Sequence, residues 1–388
     1  MILCNAIYKR PSSWRSGRGE SDEALFFDRA GGGDSMDELW RDDINEDCVI
    51  ERMPRWADIC VIKNLYRAWR DFSKGKKKRE DVLVFESHLE DELWRLHTDL
   101  VSEEYRHGGY EKFFVHDPKR RMIHKATVRD RVVHRLLYNA LLTVFHPRWL
   151  DCSFSCRPGF GQHRSLERVR RGLREATQDW SRECIALKCD IRKFFDSVDH
   201  GILERLLFLH LKDAPLRLML SRVIDSFETS SGIGLPIGNL TSQLFANVYM
   251  HELDWHAKHE LKLRWYYRYA DDMLVLCHSL DEVKRVCEKL EIFLSQTLRL
   301  FLHPKKVVIR KSTWGVDWLG HVILPGHEAL RPATRRRMMR RVRDALGQYG
   351  SAETAIKSIA SYHGLLAGTA RKTIDCDLLQ AVALWREM

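Results

Sequence analysis

The stretch RWYYRYADDMLVLCH, Arg264 to His278, constrains the fold more than any other. Aromatic and branched residues on both flanks favour β-structure, and only a tight turn fits between them. The segment therefore predicts a hairpin that carries Asp271 and Asp272 at its tip. Two adjacent carboxylates beside an apolar run are costly to bury unless something compensates them. Upstream, the short apolar run CIALKCDI predicts a strand ending at Asp190. If that strand neighbours the hairpin in one sheet, Asp190 meets Asp271. Three converging carboxylates repel one another unless neutralised; Mg²⁺ is the hard, oxygen-preferring candidate, with Mn²⁺ as a substitute. Two such ions ~3.5–4 Å apart can activate a 3′-hydroxyl and steady a leaving pyrophosphate, the chemistry of nucleotidyl transfer. Taken alone, an Asp-Asp pair equally describes a solvated turn, so the surrounding sequence must decide.

The chain has 388 residues, 44% of them hydrophobic, which suffices for two or three lobes at about 100–200 residues per core. An excess of 64 Lys and Arg over 54 Asp and Glu leaves a net charge of +10, favouring a polyanionic partner. The most apolar run, LLYNALLTVF, is too short to span a bilayer and follows DRVVHR, so it reads as a buried amphipathic helix. The N-terminus lacks the apolar core and small-residue cleavage site of a secretory signal, and the ten cysteines include no C-x-x-C pair. The expectation is a cytoplasmic protein with reduced thiols and no membrane attachment.

Residues 1–50 mix Gly, Ser, Arg and acids without a period and read as a flexible N-terminal extension. Helical spacing begins after Trp56, with Ile62, Leu65, Tyr66 and Trp69 on one face. It is interrupted by SKGKKKRED, a solvated loop or a nucleic-acid contact, and resumes with Leu89, Leu93, Leu96 and Leu100. YEKFFVHDPKRRMIHKA alternates around Asp117-Pro118, which predicts a β-hairpin with a basic tip. DRVVHRLLYNALLTVF, GILERLLFLHLK and SQLFANVYMHELDWHAKH read as helices, and KKVVIRKSTWGVDWLGHVIL supplies further strands. From about Pro325 the chain reads as helical, beginning with an Arg-rich segment.

LKCDIRKFFDSVDH, GIGLPIGNLTSQLFANVYMHELD and YRYADDMLVL occur in the order seen in the palm of reverse transcriptases, and the chain resembles that family from roughly Tyr110 to Leu330. SCRPGFGQHRS is similar to the block before the first catalytic Asp, LHPKK to the lysine block, and WLGHVIL to the block leading into the thumb. The resemblance implies an α+β right-hand polymerase with fingers, palm (an antiparallel sheet packed on helices) and helical thumb. Residues 51–180 would form the fingers and their connection to the palm, 181–324 the palm, and 325–388 a basic helical thumb. It implies that Asp190 and Asp271 hold two Mg²⁺ ions, with the carbonyl of Ile191 as a further ligand and Asp272 completing the acidic turn. Phe195 matches the bulky residue that leaves no room for a 2′-hydroxyl and so selects deoxynucleotides. Lys306, or failing it Lys305, matches the lysine that protonates pyrophosphate. Lys119, Arg121, Lys125 and Arg131 supply charge for holding a triphosphate, with Arg121 the best match to the family pattern. On the template and primer side stand Tyr269, Arg157 and the Arg-rich helix containing Arg336 and Arg340; Arg157 equally fits a structural turn. Template RNA, a DNA primer, the RNA–DNA hybrid and dNTPs are the implied partners.

One block departs from most bacterial-intron and retroviral relatives, which carry Gln-Gly and then Ser-Pro before the Asp pair. Here Ile237-Gly238 and Ser242-Gln243 stand within GLPIGNLTSQ. That departure resembles reverse transcriptases of diversity-generating retroelements, as does YHGLLAGTA near the C-terminus. An apolar Ile237 removes a hydrogen bond that a Gln could make to the nascent pair, which changes discrimination by ~1 kcal/mol. The resemblance implies low fidelity at template adenines and a small basic helical accessory protein. The alternative is a retron-like or phage-defence reverse transcriptase without mutagenic homing.

Overall fold

The computed structural model describes residues 53–116 and 120–346. The N-terminal extension, Lys119 at the hairpin tip and the YHGLLAGTA segment lie outside the described residues. Helices Ile62–Ser73, Glu80–Ser87 and Leu89–Val101 come first, and their periodic leucines behave as expected: Leu65, Leu93, Leu96 and Leu100 are buried. Tyr66, expected on the same face, is half exposed instead. These helices pack on Val128–Phe145, which Thr127 caps by accepting from the amide of Asp130. Asp130 is more than a dipole partner. It is buried and receives the hydroxyls of Thr127 and Tyr105 and the amide of Gly108. The basic hairpin is present, with β1 (Tyr110–Val115) antiparallel to β2 (Arg121–Ala126).

The central sheet has the strand order β4-β5-β3-β6, with β3 Ile185–Asp190, β4 Tyr266–Tyr269, β5 Asp272–Cys277 and β6 Val308–Lys311. Side chains alternate across a strand, and here each face enters a different core. Leu187, Cys189, Met273, Val275 and Cys277 join the large core shared with the helices Leu240–Trp255 and Leu280–Thr297. Ala186, Leu274 and Leu276 join a second core with Leu166, Val169 and Leu173 of the Gln162–Thr177 helix and with Trp318 and Ile323. Both faces are covered, which is why MLVLC is continuously apolar rather than alternating.

A second sheet follows, with β7 Val316–Trp318, β8 His321–Leu324 and β9 His327–Leu330 in a three-stranded meander. The region after Pro325 is therefore not helical from its start, and the expected boundary at 324/325 falls in the β8–β9 turn. The basic helix Pro332–Leu346 comes only after β9. Among the described residues no helix is long and apolar enough to cross a membrane.

Close approach of the Gln162–Thr177 helix to the sheet depends on Gly172, where an added Cβ would lie 1.7 Å from the Tyr267 hydroxyl. Gly172→Ala is expected to destabilise the protein by about 1–3 kcal/mol, read as a lower urea midpoint at unchanged m-value.

Candidate active site

Antiparallel pairing sets Asp190 opposite Asp272, and the charges of both act on the adjoining Asp271. The hairpin turn takes up two residues, Ala270 and Asp271, so Asp272 opens β5 on the face shared with Asp190 and Lys188. Asp271 sits in the turn itself, half-buried. Burial, then the like charges of Asp272 and Asp190, pushes its carboxyl up to about 6. Asp190 Oδ2 accepts from Lys306 Nζ at 2.6 Å, whereas its Oδ1 is buried without a hydrogen-bond partner. Lys305 is exposed, so of the two candidate lysines Lys306 is the one seated at the acids. The turn that places it is built by His303, whose amide donates to the Asp190 carbonyl and whose own carbonyl accepts from Lys306 N.

An orphaned buried oxygen beside a carboxyl that resists ionisation marks a site short of positive charge. Its all-oxygen, anionic donor set fits a hard divalent cation in kind. Among the described residues no three His, Cys, Asp or Glu side chains are already gathered about one point, so the carboxylates would have to close on such an ion. Ile191 is buried, and the hydrogen bonds flanking it run from Arg192 N to Phe301 O and from His303 N to Asp190 O, leaving its own carbonyl out of that pairing.

Beneath the turn lies a group that the sequence reading missed. Arg268 is fully buried and every guanidinium donor is used. Nε and Nη2 reach the two oxygens of Asp254 at 2.7 Å, Nη2 also reaches Ser153 Oγ at 2.8 Å, and Nη1 reaches Asn247 Oδ1 at 3.3 Å and the carbonyl of Ala270 at 3.0 Å. Burial works against its charge, but the charge and hydrogen bonds of Asp254 outweigh it and hold the proton more firmly than usual. Ala270 has a positive φ of 54°, which a non-glycine residue adopts at a cost, and the Arg268 bond supports that conformation. The backbone of Arg268 is held too, donating to Cys152 O and accepting from Phe154 N.

Around the acids, Phe195 accepts at its carbonyl from Leu235 N at 2.7 Å, so the residue matched to sugar selection is tied to the strand of chain leading to Ile237. The Ile237 carbonyl accepts from His124 N of β2 at 2.9 Å. Gly238, at φ 114°, lies so close to β2 that a Cβ would stand 2.7 Å from Ile123 Cγ2. Arg121 is exposed on β2, and its charge acts on Asp271. Lys125 and Arg131, by contrast, are engaged with Asp81, and Lys125 also with Glu111, which removes them as free phosphate donors. Tyr269 is half-buried, hydrogen-bonded to Ser155, with burial pushing its phenol up to about 12.

Arg157 is a correction. It is turned inward, 5% exposed, and donates to the carbonyls of Leu150, Ser153 and Trp149 while stacking on Phe160 at 3.8 Å. A guanidinium spent on loop carbonyls cannot reach a template, so the structural-turn alternative holds. Arg336 and Arg340 are both exposed on the Pro332–Leu346 helix.

The reverse transcriptase (RNA-dependent DNA polymerase) family profile matches residues 116–323. The chain belongs to that family. It is similar to Protein YkfC of Escherichia coli, 23% identical over 282 residues that cover 62% of this chain and 73% of that one. It is also similar to the group II intron-encoded protein LtrA of Lactococcus lactis, 26% identical over 42% of this chain, and to an uncharacterized 91 kDa protein in a cob intron of Schizosaccharomyces pombe, 23% identical over 54%. The matches span only 27% and 28% of those two proteins.

Removing one partner of the buried pair leaves the other charge uncompensated, so Asp254→Ala is expected to cost about 3–5 kcal/mol, whereas Arg268→Met combined with Asp254→Leu costs clearly less; equilibrium unfolding in urea compares them. A second expectation concerns Asp271. Its folded pKa, about 6, exceeds its ordinary value of 3.8, so its contribution favours folding below the lower value and is lost as pH rises through the higher one. In metal-free buffer Asp271→Asn should therefore match wild type in stability near pH 3.5 and exceed it by roughly 3 kcal/mol at pH 7.5, measured by thermal melting across that range.

Proposed function

We propose that this chain is an RNA-directed DNA polymerase that extends a DNA primer on a retroelement RNA by two-metal nucleotidyl transfer, and that it is of the diversity-generating type. The observation that carries the chemistry is the meeting of Asp190 and Asp272 across β3 and β5, with Asp271 raised beside them. Residues 51–180 act as fingers with their connection, 181–324 as palm and 325–388 as thumb. Asp190, Asp271 and the Ile191 carbonyl hold the ions, with Asp272 in support. Bound there, Mg²⁺ supplies a Lewis acid at the 3′-hydroxyl and at the leaving pyrophosphate.

The chain's own residues do the rest. Lys306 has a proton to give within reach of the acids and serves as general acid to pyrophosphate. Arg121, exposed and electrostatically coupled to the site, pairs with the triphosphate. Phe195 closes the sugar side against a 2′-hydroxyl. Arg336 and Arg340 contact the RNA or hybrid backbone, where cations bind phosphates without reading sequence.

Ile237-Gly238 carries the finer reading. Held to β2 through its backbone, Ile237 presents an apolar side chain where a Gln could hydrogen-bond, and the discrimination lost is about 1 kcal/mol, or about fivefold. Errors concentrated at template adenines, a structured retroelement RNA and a small basic helical accessory protein complete this proposal. A retron-like or phage-defence enzyme would share the acids and the palm but not the errors.

The test is primer extension on RNA with dNTPs and Mg²⁺, followed by sequencing of the product. Asp190→Ala and Asp271→Ala should each lower extension at least about 10³-fold, and full activity in either would remove the metal assignment. Ile237→Gln should lower misincorporation by about 5–10-fold; an unchanged error spectrum would refute the role given to Ile237.

A further inference from the structure

A chain of side-chain hydrogen bonds runs behind the Ile237 loop, and none of its members takes part in the chemistry above. Its direction follows from which groups can only accept. The Gly108 carbonyl lies 2.6 Å from His107 Nδ1, so the proton is on that nitrogen. His107 Nε2 is then an acceptor, and His134 Nε2, 3.0 Å away, donates to it. His134 Nδ1 must in turn accept, and its partner is the Thr241 hydroxyl at 2.6 Å. Tyr110 does not compete as donor. Its hydroxyl is 2.8 Å from Ser226 Oγ, whose own proton goes to the Val223 carbonyl.

Burial, then the neighbouring His107, pushes His134 down to about 3, so the His134 imidazole stays neutral and has a single ring proton to give. His134 and Thr241 are buried, 2% and 1% exposed. The far end of the relay is anchored as well, because Asp130 receives the Gly108 amide. Thr241 lies at the start of the Leu240–Trp255 helix, directly after the Ile237–Asn239 segment. That segment is clamped from its other side by β2, through His124 N to Ile237 O and Asn239 Nδ2 to His124 O at 3.2 Å.

We propose that His134 and Thr241 are positioning residues that lock the Ile237–Thr241 segment against the fingers strand β2 and thereby set base discrimination. The proposal rests on the reading of Ile237 as part of the nucleotide pocket. The relay spans three separate pieces of chain, the 105–108 loop, the Val128–Phe145 helix and the first turn of the Leu240–Trp255 helix. Among the described residues, the hydroxyl of Thr241 is the hydrogen-bonding group that connects it to the Ile237 segment. Without that hydroxyl, His134 Nδ1 becomes a buried acceptor with no donor, and the segment is held on one side only.

Thr241→Val removes the donor at nearly constant shape, and Thr241→Ser retains it. Hydrogen exchange reads the lock without any need for catalysis. In Thr241→Val the amide of His124, which donates to Ile237 O, should exchange at least about tenfold faster, with wild-type behaviour in Thr241→Ser. Single-nucleotide insertion on RNA then reads the consequence. The ratio of kcat/KM for correct over incorrect dNTP should change about fivefold or more through KM, with kcat at saturating correct dNTP within about twofold. Unchanged exchange at His124 overturns the proposal. So does altered exchange with an unchanged discrimination ratio in an enzyme that copies RNA, or a fall in kcat and melting temperature with KM intact, which is the signature of a merely structural residue. If the wild type copies no RNA, the polymerase reading fails, and the exchange measurement still decides whether the lock exists.

Discussion

The fully buried ion pair between Arg268 and Asp254 is the interaction on which the rest of the site depends. Two charges removed from water are stable only when their remaining donors and acceptors are satisfied, and Arg268 meets that condition by drawing on three separate pieces of chain. One of its bonds goes to the carbonyl of Ala270, so the turn that carries Asp271 is supported from below by a group with no other available orientation. Asp254 is fixed on the Leu240–Trp255 helix and also receives the Tyr266 hydroxyl at 3.0 Å. Helix, hairpin and the 152–154 segment therefore move together or not at all.

Above that support, electrostatics run in the opposite sense. Asp190, Asp271 and Asp272 are brought together by strand pairing, and the fold leaves them under-compensated: Lys306 satisfies one oxygen of Asp190 and leaves the other orphaned. Stability is sacrificed at such a place, and a raised carboxyl beside like charges is a common mark of a functional site. The contrast with Arg268 is instructive. A pair of opposite charges lies under the turn, fully satisfied, and a cluster of like charges lies on it, with one buried oxygen of Asp190 left without a hydrogen bond.

The Ile237 segment is the other junction. Its carbonyl belongs to the ladder edge of β2, its glycine admits β2 at a distance that a Cβ would forbid, and Leu235 binds the Phe195 carbonyl. The β1–β2 hairpin, Phe195 and the Leu240–Trp255 helix thus meet at one short loop. A change in the β1–β2 hairpin reaches that loop directly, through backbone hydrogen bonds and the Asn239 side-chain amide.

Much of this was legible in advance. The hairpin with its acidic tip, the strand ending at Asp190, the basic β-hairpin and the main helices follow from side-chain period and turn chemistry, which are local properties. Three features were not. Opposing Asp190 to Asp272 rather than Asp271 requires the register of two strands far apart in the chain, and a shift of one residue moves a side chain to the other face. The inward turn of Arg157 and the burial of Arg268 depend on which carbonyls and carboxylates the fold brings near, and a charged residue in a linear sequence gives no sign of its partner. The amino-acid sequence by itself determined the family, the elements and the residue types available for chemistry, because motif order and periodicity are written along the chain. Only tertiary structure decided which charges are spent on the scaffold and which remain for the site, because long-range pairing distributes hydrogen-bond partners and solvent.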